Sequence, residues 1–123
     1  MIEGPSGAGK SDLALRLIDR GAVLVSDDRT RIERVGEKLV AYAPPTMAGR
    51  IEIRGLGIAH TPYADAATVT LVVQLTAEEQ RLPDPRERHI AGIAVREVAL
   101  DPFGAAATIK VEWALRQPDL ARS

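Results

Sequence analysis

Gly4-Pro5-Ser6-Gly7-Ala8-Gly9-Lys10-Ser11, close to the start of a chain of 123 residues, satisfies the pattern G-x-x-x-x-G-K-[ST] at every position. Glycines at 4, 7 and 9 let consecutive backbone N–H groups turn toward one point, because glycine alone adopts left-handed backbone without steric cost. Residues 10–20 follow as KSDLALRLIDR, with Leu13, Ala14, Leu17 and Ile18 at helical spacing and Gly21 where a left-handed C-cap belongs. A glycine curl that runs into a helix N-terminus gathers oriented amides and partial positive charge, which suits a phosphate. In this pattern Lys10 reaches the β and γ phosphates and the Ser11 hydroxyl is a ligand for Mg²⁺. A loop of this kind follows a strand, and only Met1-Ile2-Glu3 stand before it, so the first strand is expected to be truncated.

Beyond the helix, Ala22-Val23-Leu24-Val25 is an apolar run that predicts a buried strand, ending at Ser26-Asp27-Asp28. Residues 30–35 and 38–43 flank Gly36-Glu37 as a hairpin would, and Pro44-Pro45 closes it. Residues 50–54 (RIEIR) alternate like a half-buried strand, and residues 68–75 (TVTLVVQL) form a β-branched run that predicts another. Residues 76–89 (TAEEQRLPDPRERH) are polar, carry Pro83 and Pro85, and read as a mobile loop of functional length. Residues 90–100 predict one or two strands. Asp101-Pro102 resembles an N-cap with proline at the first helical position, opening a helix over roughly 103–116. This order predicts one α/β domain over residues 1–123, with a mixed β-sheet and few helices.

Composition narrows the possibilities. The chain is 46% hydrophobic and 27% charged, with 16 Lys+Arg against 17 Asp+Glu, so its net charge of -1 argues against a protein that grips nucleic acid through its overall field. Aromatics are 3% (Phe103, Trp113, Tyr42, Tyr63), too few for a single-strand base-stacking surface, and the core must be aliphatic. The absence of Cys excludes disulfides, thiolate metal sites and cysteine nucleophiles. No stretch approaches the ~18 apolar residues of a membrane span, and the start lacks a signal-peptide pattern. A soluble, cytoplasmic protein is expected.

Two acidic features could serve the loop. Asp27-Asp28 ends the strand expected after the helix, where a mononucleotide kinase places a metal-linked acid or a general base; the same pair could be a solvated turn. Adjacent strand residues face opposite sides, so the two acids would play different parts. Glu52 shares a strand face with Arg50 and Arg54, a pattern that suits a cross-strand salt-bridge ladder as well as a site.

GPSGAGKSDLALRLIDRGAVLVSDD at residues 4–28, with IEIRGLGI at 51–58, resembles the catalytic domain of HPr kinase/phosphorylase, and most of all its short alphaproteobacterial-type members. The likeness runs over roughly residues 1–116. It implies a P-loop kinase fold of the phosphoenolpyruvate-carboxykinase-like type. It also implies a bifunctional enzyme that phosphorylates a serine of the carrier protein HPr from ATP or pyrophosphate and removes the group by phosphorolysis. By that resemblance Gly4, Pro5, Ser6, Gly7, Ala8, Gly9, Lys10 and Ser11 hold phosphates, and Ser11 and Glu52 stand near Mg²⁺. The pair Asp27-Asp28 supplies general base and general acid, and Arg81 approaches the transferred phosphate, with Arg86 and Arg88 close by in sequence. A hexamer is implied as well. The resemblance departs at Asp101-Pro102-Phe103-Gly104-Ala105, which replaces a basic Pro-Gly-Arg-Asn segment of longer members. Two other classes fit a phosphate loop: a small-molecule P-loop kinase, which should add a lid and substrate-binding helices, and a nucleotide-binding regulatory module without catalysis.

Overall fold

A strand at Ile2–Glu3 (β1) leads through the glycine loop into a helix at Lys10–Asp19 (α1) in the computed structural model, which describes residues 1–27 and 30–117. The chain then forms a hairpin of Arg31–Val35 (β2) and Lys38–Tyr42 (β3), and a second of Arg50–Ile53 (β4) and Gly57–His60 (β5). Short Ala66–Thr68 (β6), Leu71–Leu75 (β7), Arg86–Ile90 (β8), Ile93–Leu100 (β9) and the helix Ala107–Arg116 (α2) complete it.

The main sheet has the order β1-β7-β9-β8, with β1, β7 and β9 parallel and β8 antiparallel at the far edge. A three-stranded antiparallel sheet, β2-β3-β6, and the two-stranded β4-β5 stand apart from it. The mixed sheet and the two helices match the expected class.

Strand β7 organises the interior because its residues are buried on both faces. Leu71, Val73 and Leu75 pack with Leu13 of α1, with Leu100, and with Ala107, Val111 and Ala114 of α2. Val72 points the other way, into a smaller cluster with Leu39 of β3 and Val95 of β9. The period of two along a strand produces both cores from one run of five residues. Fully burying each of these leucine and valine side chains is worth roughly 1.5–3 kcal/mol.

Turn chemistry sets the hairpins. Gly36 takes a positive φ of 63° in the two-residue loop between β2 and β3, as Gly36-Glu37 predicts. Ala91 and Gly92 both have positive φ between β8 and β9, which is a mirror-type turn with alanine in a position glycine usually fills. Helix α1 ends as expected, with Gly21 at φ 108° and its amide on the Ile18 carbonyl.

Four expectations are corrected. Residues 22–25 form no strand; Leu24 makes only an isolated bridge to Tyr63, and Val23 is exposed. The run 68–75 is two strands in different sheets, because Val69 turns its amide to the Leu39 carbonyl while β7 inserts between β1 and β9. The loop after β7 ends at Pro85 and β8 begins at Arg86, held by main-chain pairing to β9 and by ion pairs rather than by an apolar stripe. Helix α2 starts at Ala107 instead of near 103; the Asp101 carboxylate accepts from the Phe103 amide at 2.9 Å and so caps a preceding turn.

Candidate functional site

Parallel pairing of β1 with β7 places the start of the glycine loop at the carboxyl edge of the main sheet. Gly7 and Gly9 have φ of 81° and 99°, and Gly9 is the N-cap residue of α1, so the loop curls as its glycines allow. The Ala8 amide closes a turn onto the Pro5 carbonyl at 3.0 Å. Gly4, Ala8, Gly9, Lys10 and Ser11 are half-buried, while Pro5, Ser6 and Gly7 are exposed. A Cβ on Gly4 would stand 3.0 Å from the Ala8 side chain and 3.2 Å from that of Leu75, so the first glycine lets the loop lie close on β7.

Lys10 and Ser11 open α1. Ser11 donates its hydroxyl to Asp27 Oδ1 at 2.9 Å, and the Glu52 amide donates to Asp27 Oδ2 at 2.9 Å. One carboxylate therefore joins the loop's hydroxyl to the β4–β5 hairpin. Sequence reasoning linked Ser11, Asp27 and Glu52, and the structure brings all three together. It does so through the main chain of Glu52, whose side chain is exposed. Asp28 lies outside the described residues. Arg81 is exposed on the loop between β7 and β8 and takes no part in this chain of hydrogen bonds.

An open groove of about 340 Å³ is lined by Ile2, Glu3, Gly4, Pro5, Lys10 and Gln74. Glu3 and Gln74 are paired in register across β1 and β7. Arg88 of β8 donates to Glu3, to Gln74 Oε1 at 3.0 Å and to Glu97 Oε1 at 2.6 Å. The hydrogen bond to Glu3 comes first among the causes that raise Arg88 above the ordinary arginine pKa, burial opposes it, and Glu97 adds to it. Arg88 is thus a permanent cation that fixes the acidic wall of the groove. Sequence reasoning missed Glu3 and Gln74. Their signal was present: Gln74 is the one polar residue in Leu71–Leu75, and Glu3 directly precedes the loop.

The oxygen donors Ser11 Oγ and Asp27 are of the kind Mg²⁺ takes. Among the described residues no group of three or more His, Asp or Glu could hold a metal unaided. His60 and His89 are exposed. No helix among the described residues is long and apolar enough to cross a membrane.

Fold and site together define a mixed α/β domain in which a glycine loop joins an edge strand to a helix and meets a carboxylate at the sheet's carboxyl end. The family described as the HPr Serine kinase C-terminal domain matches residues 1–110, and the chain belongs to that family. It is 35% identical to HPr kinase/phosphorylase of Clostridium tetani (strain Massachusetts / E88), over 81% of this chain and 37% of that protein. It is 34% identical to HPr kinase/phosphorylase of Bordetella petrii, over 94% of this chain and 42% of that protein. The chain thus spans about two-fifths of the length of these curated relatives. The solved structure of the Hpr(Ser) kinase/phosphatase from Coxiella burnetii superposes with a TM-score of 0.83 at 28% identity, covering 95% of this chain and 85% of that one.

Proposed function

We propose that this chain transfers a phosphoryl group from ATP or pyrophosphate to a serine of the phosphocarrier protein HPr, and reverses the transfer by phosphorolysis. The single observation that carries the reading is Asp27, whose carboxylate accepts the hydroxyl of Ser11 beside Lys10 at the mouth of the glycine loop. The names of the relatives supply the acceptor.

The loop amides and Lys10 hold the β and γ phosphates of the donor. Ser11 and Asp27 would hold Mg²⁺, with Glu52 near it; when bound, the ion would neutralise charge on the transferring group. A carboxylate of the Asp27-Asp28 pair takes the proton of the HPr serine as its oxygen attacks phosphorus, and the bond to the leaving ADP or phosphate breaks. In reverse, inorganic phosphate attacks phosphoserine, the same acid returns the proton to the serine oxygen, and pyrophosphate leaves. Arg81 steadies the transferred phosphoryl group. Arg86 and Arg88 are paired with Glu97, and Arg88 also with Glu3, which leaves Arg81 as the arginine for that role. The exposed Ile109, Trp113 and Leu115 of α2 suit assembly into the hexamer of the resembling enzymes, working in the cytoplasm.

Purified HPr incubated with the full chain, Mg²⁺ and either donor should become serine-phosphorylated. Lys10→Ala and Asp27→Asn should each lower the rate by at least a hundredfold while unfolding stays cooperative. Phosphorylation of a metabolite but not of HPr would replace this reading with that of a small-molecule kinase, and phosphate binding without turnover would leave a regulatory module.

A further inference from the structure

Phe103 is 68% exposed and belongs to neither core cluster, yet its ring lies beside the glycine loop. A Cβ on Gly9 would stand 3.1 Å from Cζ and 3.3 Å from Cε1 of that ring, so one part of the phenyl lies against the last glycine of the loop while the rest meets solvent. Its backbone is fixed from both sides: the Phe103 amide donates to Asp101 Oδ1, and Arg16, in the second turn of α1, donates to the carbonyl of the buried Pro102. These bonds fix the backbone that carries the ring beside the loop. It follows β9, at the carboxyl end of a parallel strand, which is where open α/β sheets bind their ligands.

An exposed apolar ring that adds nothing to the core, set against a phosphate-holding curl, has one economical use. We propose that Phe103 is the stacking surface for the nucleobase of the phosphoryl donor, an inference that rests on the phosphate-loop reading above. Gly9 suits this spot for two reasons, since its φ of 99° favours glycine and a Cβ there would crowd the Phe103 ring and Pro102 Cγ, the latter at 3.2 Å. The ring offers a face and no hydrogen-bonding edge, so it accepts purines without choosing between them. Pyrophosphate, which has no base, gains nothing from it. Phe103 is thus a specificity-determining residue that favours a nucleotide over the inorganic donor at a shared phosphate site.

The test compares binding of MgATP and of magnesium pyrophosphate to the full chain by calorimetry, for the native sequence, Phe103→Ala and Phe103→Tyr. Losing one base-stacking contact weakens binding by roughly five- to a hundredfold. Phe103→Ala should lose affinity for MgATP by about tenfold and hold pyrophosphate within about twofold, and Phe103→Tyr should restore MgATP binding. Equal weakening of both ligands would show that the ring only props the loop, and unchanged MgATP affinity with a raised KM for HPr would assign the ring to protein docking; either result overturns the proposal. If the native chain binds neither ligand, the phosphate-loop reading fails and takes this one with it.

Discussion

Gly7 and Gly49 share a left-handed backbone, with φ of 81° and 73°, but their surroundings differ. A Cβ on Gly7 would meet nothing within 4 Å, whereas one on Gly49 would stand 2.8 Å from a Tyr63 ring carbon and 2.9 Å from the Thr61 carbonyl oxygen. Alanine at 7 carries backbone strain alone, about 1–2 kcal/mol. Alanine at 49 adds a collision in a buried turn whose carbonyl accepts the Thr61 amide at 2.8 Å, and should cost about 2–4 kcal/mol. Urea midpoints of Gly7→Ala and Gly49→Ala check this, and equal shifts would contradict it. The motif marks Gly7 in the sequence. Gly49 carries no such mark, because what it must clear is a tyrosine from beyond the next hairpin.

Strand β8 depends on its ion pairs. Glu97 is 8% exposed and accepts from Arg88 at 2.6 Å and from Arg86 at 3.5 Å, while Arg86 is itself 54% exposed. Arg88→Met leaves Glu97 buried beside only the weaker partner and frees Glu3, which should lower stability by about 2 kcal/mol. Arg86→Met removes a surface contact worth under about 0.5 kcal/mol. Paired denaturation curves should separate the two variants, and similar losses would mean that Arg88 is not the organising cation. The same feature explains what sequence reading missed at this level. RERHI has no apolar alternation, so its strand character comes from β9 alongside it, which a local pattern does not contain. The converse failure is Ala22-Val23-Leu24-Val25, whose apolar run forecast a strand that found only a one-residue bridge. Helix α1, the β2–β3 turn and β7 were readable because a periodic stripe, a glycine and a β-branched run are local causes. The acids of the site were legible as types, but the way Glu52 joins Asp27 was not, because that joint uses an amide every residue but proline possesses.

Two separate cores give the molecule a division of labour. Leu13 lies in the core that supports α1 and the glycine loop, and Leu39 in the one beneath the β2–β3 hairpin; their exposures are 0% and 1%. Leu13→Ala and Leu39→Ala should each cost about 2–5 kcal/mol in unfolding free energy. Only Leu13→Ala should also weaken pyrophosphate binding, measured by calorimetry on the folded fraction, because the helix that bears Lys10 and Ser11 loses its seat. Matching losses of affinity in both variants would mean that the cores are not independent. The Asp27 clasp gathers α1 and the β4–β5 ribbon, which stands apart from the main sheet. Since that clasp shuts on a peptide hydrogen, mutation can rewrite the side chain at position 52 without loosening the join between the two bodies; an imino acid there would open it.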